Sequence, residues 1–366
     1  MIDAVTLKNF KGFKSAEIPL APLTVLTGLN SSGKSTVLQS LGVLRQSIDA
    51  GFLSSGSWLL NGPFVELGAG SDVLHEDSDS EEISIGFIQD GARFSWTVAY
   101  AQQADVLEPN ASFKASESTL TPFSDRFQFL RADRVNPQTI SAKSRHAVSQ
   151  NKSLGAKGEF AAHFLAIFRD QPVPVSIRYP EASETTPGLL SQVNAWMQEF
   201  SPGVRLDVRD VVGTDYVRLS FTYGSGVNES NAYRSTNVGF GLAYSLPIVI
   251  SCLATPVGGL ILIENPEAHL HPRGQMAMGR LVALAASAGI QVIVETHSDH
   301  FLNGVRLAVK RSELDYTNAK IHFFSRNPAL RQSTFVSPSV QPDGRLSFWP
   351  EGFFDQWDNA LMDLCS

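Results

Sequence analysis

Apolar positions alternate at Val5, Leu7 and Phe10, pause at Lys11-Gly12 and resume from Ala16 to Leu20, which predicts a pair of strands joined by a turn. The next apolar run, residues 22–28, is short and continuous, as a buried strand is, and residues 31–46 then take up helical spacing. A glycine-rich stretch over 51–70 reads as a linker, and the acidic run from His75 to Glu82 as a solvated turn. Alternation returns over 83–100, whereas 101–187 is polar and rich in Ser, Pro and Asn, with one helix expected near 159–168. Residues 189–200 predict a helix, and 205–223 a hairpin turning around Val212-Gly213-Thr214. From Val238 the pattern becomes α/β. A helix to about 253 precedes a strand over 259–264, a helix from Pro272 stopped by Gly289, a strand over 291–295 and a helix over 298–310. There is no internal repeat of roughly 20–50 residues and no heptad array, so no coiled-coil arm is expected.

Composition sharpens this picture. A chain of 366 residues suggests one large domain or two. With 43% hydrophobic and 18% charged residues, against about 25% charged in an average domain, it can build a sizeable core and keeps uncharged surface for burial against another chain. The net charge of −7 argues against charge-driven coating of nucleic acid. No apolar run reaches the roughly 18–20 residues of a membrane span, so a soluble protein with no membrane partner is expected. The N-terminus has no apolar block behind a basic start, and Cys252 and Cys365 form neither a CxxC pair nor a disulfide framework. A reducing cytoplasm is the expected compartment.

The chemistry concentrates at two places. Gly28-Leu-Asn-Ser-Ser-Gly-Lys-Ser35 fits GxxxxGK[ST] at every fixed position and lies between a strand and a helix. Glycines let successive backbone N–H groups face a phosphate, and the helix adds its positive end. Asn30, Ser31, Ser32, Gly33, Lys34, Ser35 and Thr36 are therefore the candidate ATP-binding residues, with Lys34 bridging the β- and γ-phosphates and Ser35 holding Mg²⁺. The strand over 260–263 ends in Glu264, a carboxylate at the edge where α/β ligand sites lie, able to orient the same Mg²⁺. A second strand delivers Glu295 and His297 to the same edge, His297 as a contact for the γ-phosphate or the attacking water. Ser298 or Asp299 suits a helix cap, and His269 and His271 with Glu267 make only a weak metal pattern.

These residues carry a family resemblance. KNFKGF, GLNSSGKST, ILIENPEAHLHP and VIVETHSDH together resemble the ABC-type ATPase heads of the SMC, RecF and OLD group, more closely the compact AAA-type ATPases of prokaryotic defence islands. The segment from Arg345 to Gln356 resembles a small C-terminal domain of unknown function found in one branch of them, while 101–233 matches only through FLRADRVNP at 129–137. The resemblance implies an α/β P-loop head, a mixed sheet with flanking helices, carrying a β-rich and helical insertion. It implies an ATP-dependent homodimer or higher oligomer, each nucleotide meeting a signature segment of the other subunit. Asn237, Gly239 and Gly241 stand at that segment. The expected division is an N-terminal lobe over 1–100, an insertion over 101–233, a C-terminal lobe over 234–310 and a small domain over 311–366.

One departure bears on hydrolysis. Asn265 stands where many such ATPases place the carboxylate that activates water, and an amide is no general base near neutral pH. Either Glu267 or Glu295 takes that role, or turnover is slow. His271 likewise stands where the family often has an Asp. The residues after His300 contain no DxD or HNH cluster, so a nuclease module is not expected here, and Glu351, Asp355 and Asp358 read as part of an acidic, aromatic-rich helix. The expected function is a slow ATPase that regulates a separate nuclease or toxin in antiviral defence. The alternative is a RecF-like clamp on duplex DNA, with Arg131, Arg134, Lys143, Arg145, Lys152 and Lys157 as phosphate contacts or, more simply, a solvated loop.

Overall fold

The structure, a computed structural model, describes residues 1–110, 120–181, 186–224, 226, 229–327, 329, 331–350, 352 and 364. In chain order come β1 (Ile2–Phe10), β2 (Phe13–Pro19), β3 (Leu23–Gly28), α1 (Lys34–Asp49), β4 (Trp58–Leu59), α2 (Gly70–Val73), β5 (Glu82–Gln89), β6 (Ala92–Ala99), β7 (Val106–Leu107), β8 (Phe127–Leu130) and β9 (Ser141–Ala142). There follow α3 (Ala161–Phe168), α4 (Leu189–Phe200), β10 (Val204–Asp210), β11 (Tyr216–Tyr223), β12 (Tyr233–Arg234), α5 (Phe240–Ala254), β13 (Leu260–Glu264), α6 (Pro272–Ser287), β14 (Gln291–Glu295), α7 (Asp299–Lys310), β15 (Ala319–Asn327) and β16 (Gln332–Val336). The terminal acidic helix expected around Glu351, Asp355 and Asp358 lies outside the described residues.

The chain forms two units. The first comprises Met1–Glu117, Glu295–Asp299 and Val309–Ser366. Its antiparallel sheet runs β2-β1-β5-β6, and Asp90-Gly91, both at positive φ, make the tight turn that the β5–β6 hairpin twist requires. Beside it, β3 pairs in parallel with β15, which pairs antiparallel with β16, so the C-terminal segment builds the sheet that carries the phosphate loop. Phe10 and Trp58 meet edge to face, as do Phe13 and Phe324, in a core from which water is excluded.

One expectation fails in this unit, and a second holds except at its first residue. Residues 51–70 are no linker, because Leu53, Trp58, Leu60, Val65 and Leu67 are buried. Gln46 on α1 accepts from Val65 N and donates to Leu59 O, and Ser47 Oγ accepts from Leu59 N, so the stretch is tied down on the helix. Its glycines mask a sparse apolar pattern that burial uses fully. Within the acidic run, His75 is buried and its Nδ1 lies 2.8 Å from Lys11 O. The carboxylates of that run do face solvent, where Glu76 and Asp79 pair with Arg326 and Lys14.

The second unit comprises Ser118–Val294 and His300–Ala308. Here β13 runs parallel to β8, both strands nearly fully buried, and α5 covers them. Pro272 opens α6 with His271 Nδ1 accepting from Arg273 N, and Gly289 at φ 91° closes it. The hairpin β10–β11 packs its apolar face on α3 and α4, with β9 and β12 alongside β11. Among the described residues no helix is long and apolar enough to cross a membrane.

Candidate nucleotide site

The loop after β3 is shaped by its glycines. Gly28 lies at φ 134°, and a Cβ there would stand 2.1 Å from Phe324 O; Gly33 lies at φ 102°, with Phe13 and Ser333 within 3 Å of any added Cβ. Ser31 is also left-handed, at φ 59°. Alternating hands of this kind make a backbone nest for anions. The loop curls around Lys34, whose Nζ donates to Gly28 O at 3.0 Å and Leu29 O at 2.6 Å. Ser32 Oγ is buried with no partner among the described residues, an unusual state for a hydroxyl unless a ligand completes it. Asn30, Ser31, Ser32, Gly33, Lys34, Ser35 and Thr36 all line a pocket of about 520 Å³. The donor set fits a triphosphate.

The carboxylate that meets Ser35 is Glu295. Ser35 Oγ donates to Glu295 Oε1 at 2.9 Å, and Thr296 N donates to Leu26 O at 3.0 Å, which fixes the end of β14 beside the loop. Glu295 is 6% exposed. His297 lies exposed on the pocket lining, and partial desolvation together with the charge of Lys34 lowers its pKa, keeping the ring neutral at physiological pH. Lys11, Gln39, Asp72, Arg326, Arg331 and Ser333 also line the pocket and were not anticipated from the sequence. Lys11 belongs to the readable turn after β1, but nothing local marks Arg326 or Arg331, which arrive on β15 and just before β16.

Glu264 ends β13 in the second unit. Its Oε2 accepts from Ala132 N at 2.9 Å, and burial raises its pKa against that hydrogen bond and the charge of Arg131. The turn that follows is held by Arg134, whose Nη1 donates to Glu264 O at 2.7 Å and to Arg131 O at 3.1 Å, and whose Nη2 donates to Asn265 O at 2.6 Å. Arg134 is 3% exposed, its guanidinium pulled down to about 10 by burial while Glu267 acts against the shift. The expectation that Arg134 extends a surface for DNA is therefore wrong, since it is a buried clamp on the acidic turn. Arg131 and Lys157 pair with Asp133, and Lys143 with Asp210, so most of that basic stretch is engaged locally. Asn265 takes φ 46° and His269 φ 62°, left-handed positions that Asn and His tolerate. Among the described residues no cluster of three His, Cys, Asp or Glu could hold a metal ion.

At the signature segment, Asn237 and Gly239 are exposed and Gly239 caps α5 in extended conformation. Gly241 is buried, where a Cβ would lie 2.5 Å from His269 O. It lets α5 press against the turn that contains Glu267. Phe240, half exposed, clusters with Tyr244 and His269.

A phosphate loop between β3 and α1, in a sheet with parallel and antiparallel neighbours, defines a P-loop ATPase of α/β class. The chain belongs to the family described as "AAA domain, putative AbiEii toxin, Type IV TA system", which matches residues 23–303, and residues 314–364 match a protein family of unknown function. It is 22% identical over 341 residues to the OLD nuclease of Thermus scotoductus, covering 85% of this chain and 61% of that protein's length. Its fold is similar to an SMC head bound to the C-terminal winged-helix domain of ScpA, with TM-score 0.56 and 16% identity over 93% of this chain and 98% of the other. It is also similar to the Pyrococcus furiosus SMC head with an extended coiled coil, bound to the C-terminal domain of ScpA, with TM-score 0.50 and 13% identity over 100% and 99% of the two chains. The resemblance read from the motifs therefore stands, as an SMC- and OLD-like ATPase fold.

Proposed function

We propose that the protein is a slow, Mg²⁺-dependent ATPase whose ATP-bound form is a homodimer, acting in the cytoplasm to regulate a separate nuclease or toxin in antiviral defence. The observation that carries this reading is the completed phosphate loop, with Lys34 held by loop carbonyls, Ser32 Oγ lacking a partner and Ser35 bonded to Glu295. Ser35 and a carboxylate, Glu264 or Glu295, would hold Mg²⁺, which would neutralise charge between the β- and γ-phosphates. His297 is suited to orient the γ-phosphate or a water. Glu267 and Glu295 are the candidate bases, because Asn265 cannot accept a proton.

Dimerisation is supported by the exposed start of α5, where Asn237 and Gly239 are free to meet a phosphate on another subunit and Phe240 presents apolar surface. The family description, which names a putative toxin and a toxin–antitoxin system, supports a defence role. Light scattering on the chain with and without ATP tests the reading. Wild type should double in mass with ATP, and Lys34→Ala should neither bind nucleotide nor dimerise. A mass indifferent to ATP in a chain that binds it would sink the gating mechanism.

A further inference from the structure

In the second unit, the hairpin β10–β11 buries Val204, Leu206, Val208, Val217, Leu219 and Phe221 on one face. Alternate residues share a face, so the other carries Arg205, Asp207 and Arg209 opposite Thr222, Ser220 and Arg218, with Arg234 of β12 opposite Ser220. This face and α4 enclose a groove of about 840 Å³. Asn194 on α4 closes the free edge of β10, accepting from Leu206 N at 2.7 Å and donating to Leu206 O at 3.2 Å.

Not all of the charges here serve stability. Arg209 and Arg218 are directly opposite, an arrangement of like charges that destabilises a strand pair. Among the described residues Arg205 and Arg218 have neither an ion-pair nor a side-chain hydrogen-bond partner, while Arg209 gives only Nε to Asp207, at 2.6 Å, leaving its terminal nitrogens available. Arg205 and the Arg209–Arg218 pair lie four residues apart along β10, about 13 Å at roughly 3.3 Å per residue. One phosphate or carboxylate cannot reach both; a chain of regularly spaced anions can. The groove also carries two carboxylates besides Asp207, but both are engaged, Glu199 by Tyr179 and Arg273 and Glu229 by the Thr222 hydroxyl. Among the described residues the lining presents no exposed aromatic or large aliphatic anchor of the kind that protein partners use. Arginine forks with the Gln198 amide beside them are groups of the kind that contact nucleic-acid phosphates.

We propose that this groove binds the sugar–phosphate backbone of a nucleic-acid strand, on cations separate from the basic stretch over 131–157. The proposal stands on the second unit alone and is independent of whether ATP is hydrolysed. Anisotropy of labelled single-stranded and duplex oligonucleotides with the full chain, from about 50 to about 200 mM salt, tests it. Binding should weaken with salt, and Arg205→Gln with Arg218→Gln should lower affinity on the order of tenfold and reduce the salt slope by about two contacts, with ATP affinity unchanged. Lys143→Gln with Arg145→Gln should leave affinity within about twofold, the ordinary scatter for surface changes outside a contact. No binding at low salt, an unaltered slope in the arginine double variant, or equal displacement by polyglutamate of matched charge would each overturn the proposal.

Discussion

Ser35 on the phosphate loop and Glu295 at the end of β14 share a hydrogen bond of 2.9 Å, so the carboxylate that fixes this hydroxyl comes from the strand preceding His297. Glu295→Gln should keep a hydrogen bond to Ser35 but weaken any hold on Mg²⁺. The Mg²⁺ concentration giving half-maximal ATP binding, followed with a fluorescent nucleotide, should rise by about tenfold or more, as loss of a ligand or its supporting partner does. Nucleotide binding without Mg²⁺ should stay the same. An unchanged Mg²⁺ requirement would return the role to Glu264.

Hydrolysis should be limited by Asn265. Its backbone is fixed, since Arg134 holds its carbonyl and φ is 46°, a conformation Asp tolerates as Asn does. Asn265→Asp therefore inserts a carboxylate without moving the chain. Phosphate release should rise on the order of a hundredfold, the usual worth of a positioned general base. Glu267→Gln should then matter little when combined with Asn265→Asp but should lower turnover in the wild type. Equal turnover in wild type and Asn265→Asp would show that Glu267 or Glu295 already supplies the base.

The parts of this site that were legible in the sequence are those whose geometry is local. A glycine-rich loop between strand and helix fixes its own backbone, so Lys34 and Ser35 could be placed at once. The strands ending in Glu264 and Glu295 were legible from their apolar runs, but which of them faces Ser35 depends on sheet order, which no window of sequence contains. Arg134 was read as surface because it sits among charged and polar residues, and its burial follows from carbonyls 130 and 131 positions away. The packed stretch from Leu53 to Leu67 was hidden by glycines and by a spacing that belongs to neither helix nor strand. β15 and β16 were missed because the motifs end before them.

Arg134 makes a stability prediction. Arg134→Met removes three charge-assisted hydrogen bonds and leaves the carbonyls of Glu264 and Asn265 without those donors. A cost of about 3–5 kcal/mol is expected, as when one side of a buried charged network is deleted. Arg134→Lys should recover little, because a single ammonium cannot span both carbonyls as the guanidinium fork does. Urea midpoints measure both. A loss below about 1 kcal/mol, the worth of a solvated surface group, would mean the clamp contributes nothing.

His322 gives the first unit an acid-sensitive joint. The ring is fully buried on β15, with Nε2 2.7 Å from Pro19 O and Nδ1 2.7 Å from Ser337 Oγ. A carbonyl only accepts, so Nε2 carries the hydrogen and Nδ1 of the neutral ring accepts from the serine hydroxyl. Burial drives the pKa down from 6.5 to about 4, although the Pro19 carbonyl favours the cation. Between those values the unfolded chain binds the proton and the folded chain does not, so folding stability rises with pH across the window. The contribution is whole above pH 6.5 and lost as pH falls towards about 4, a difference of about 3 kcal/mol. His322→Gln retains an amide donor and acceptor but no titratable group. Its urea midpoint should therefore fall less between neutral pH and pH 4 than that of the wild type, and parallel acid profiles for the two proteins would remove His322 as the source of the sensitivity.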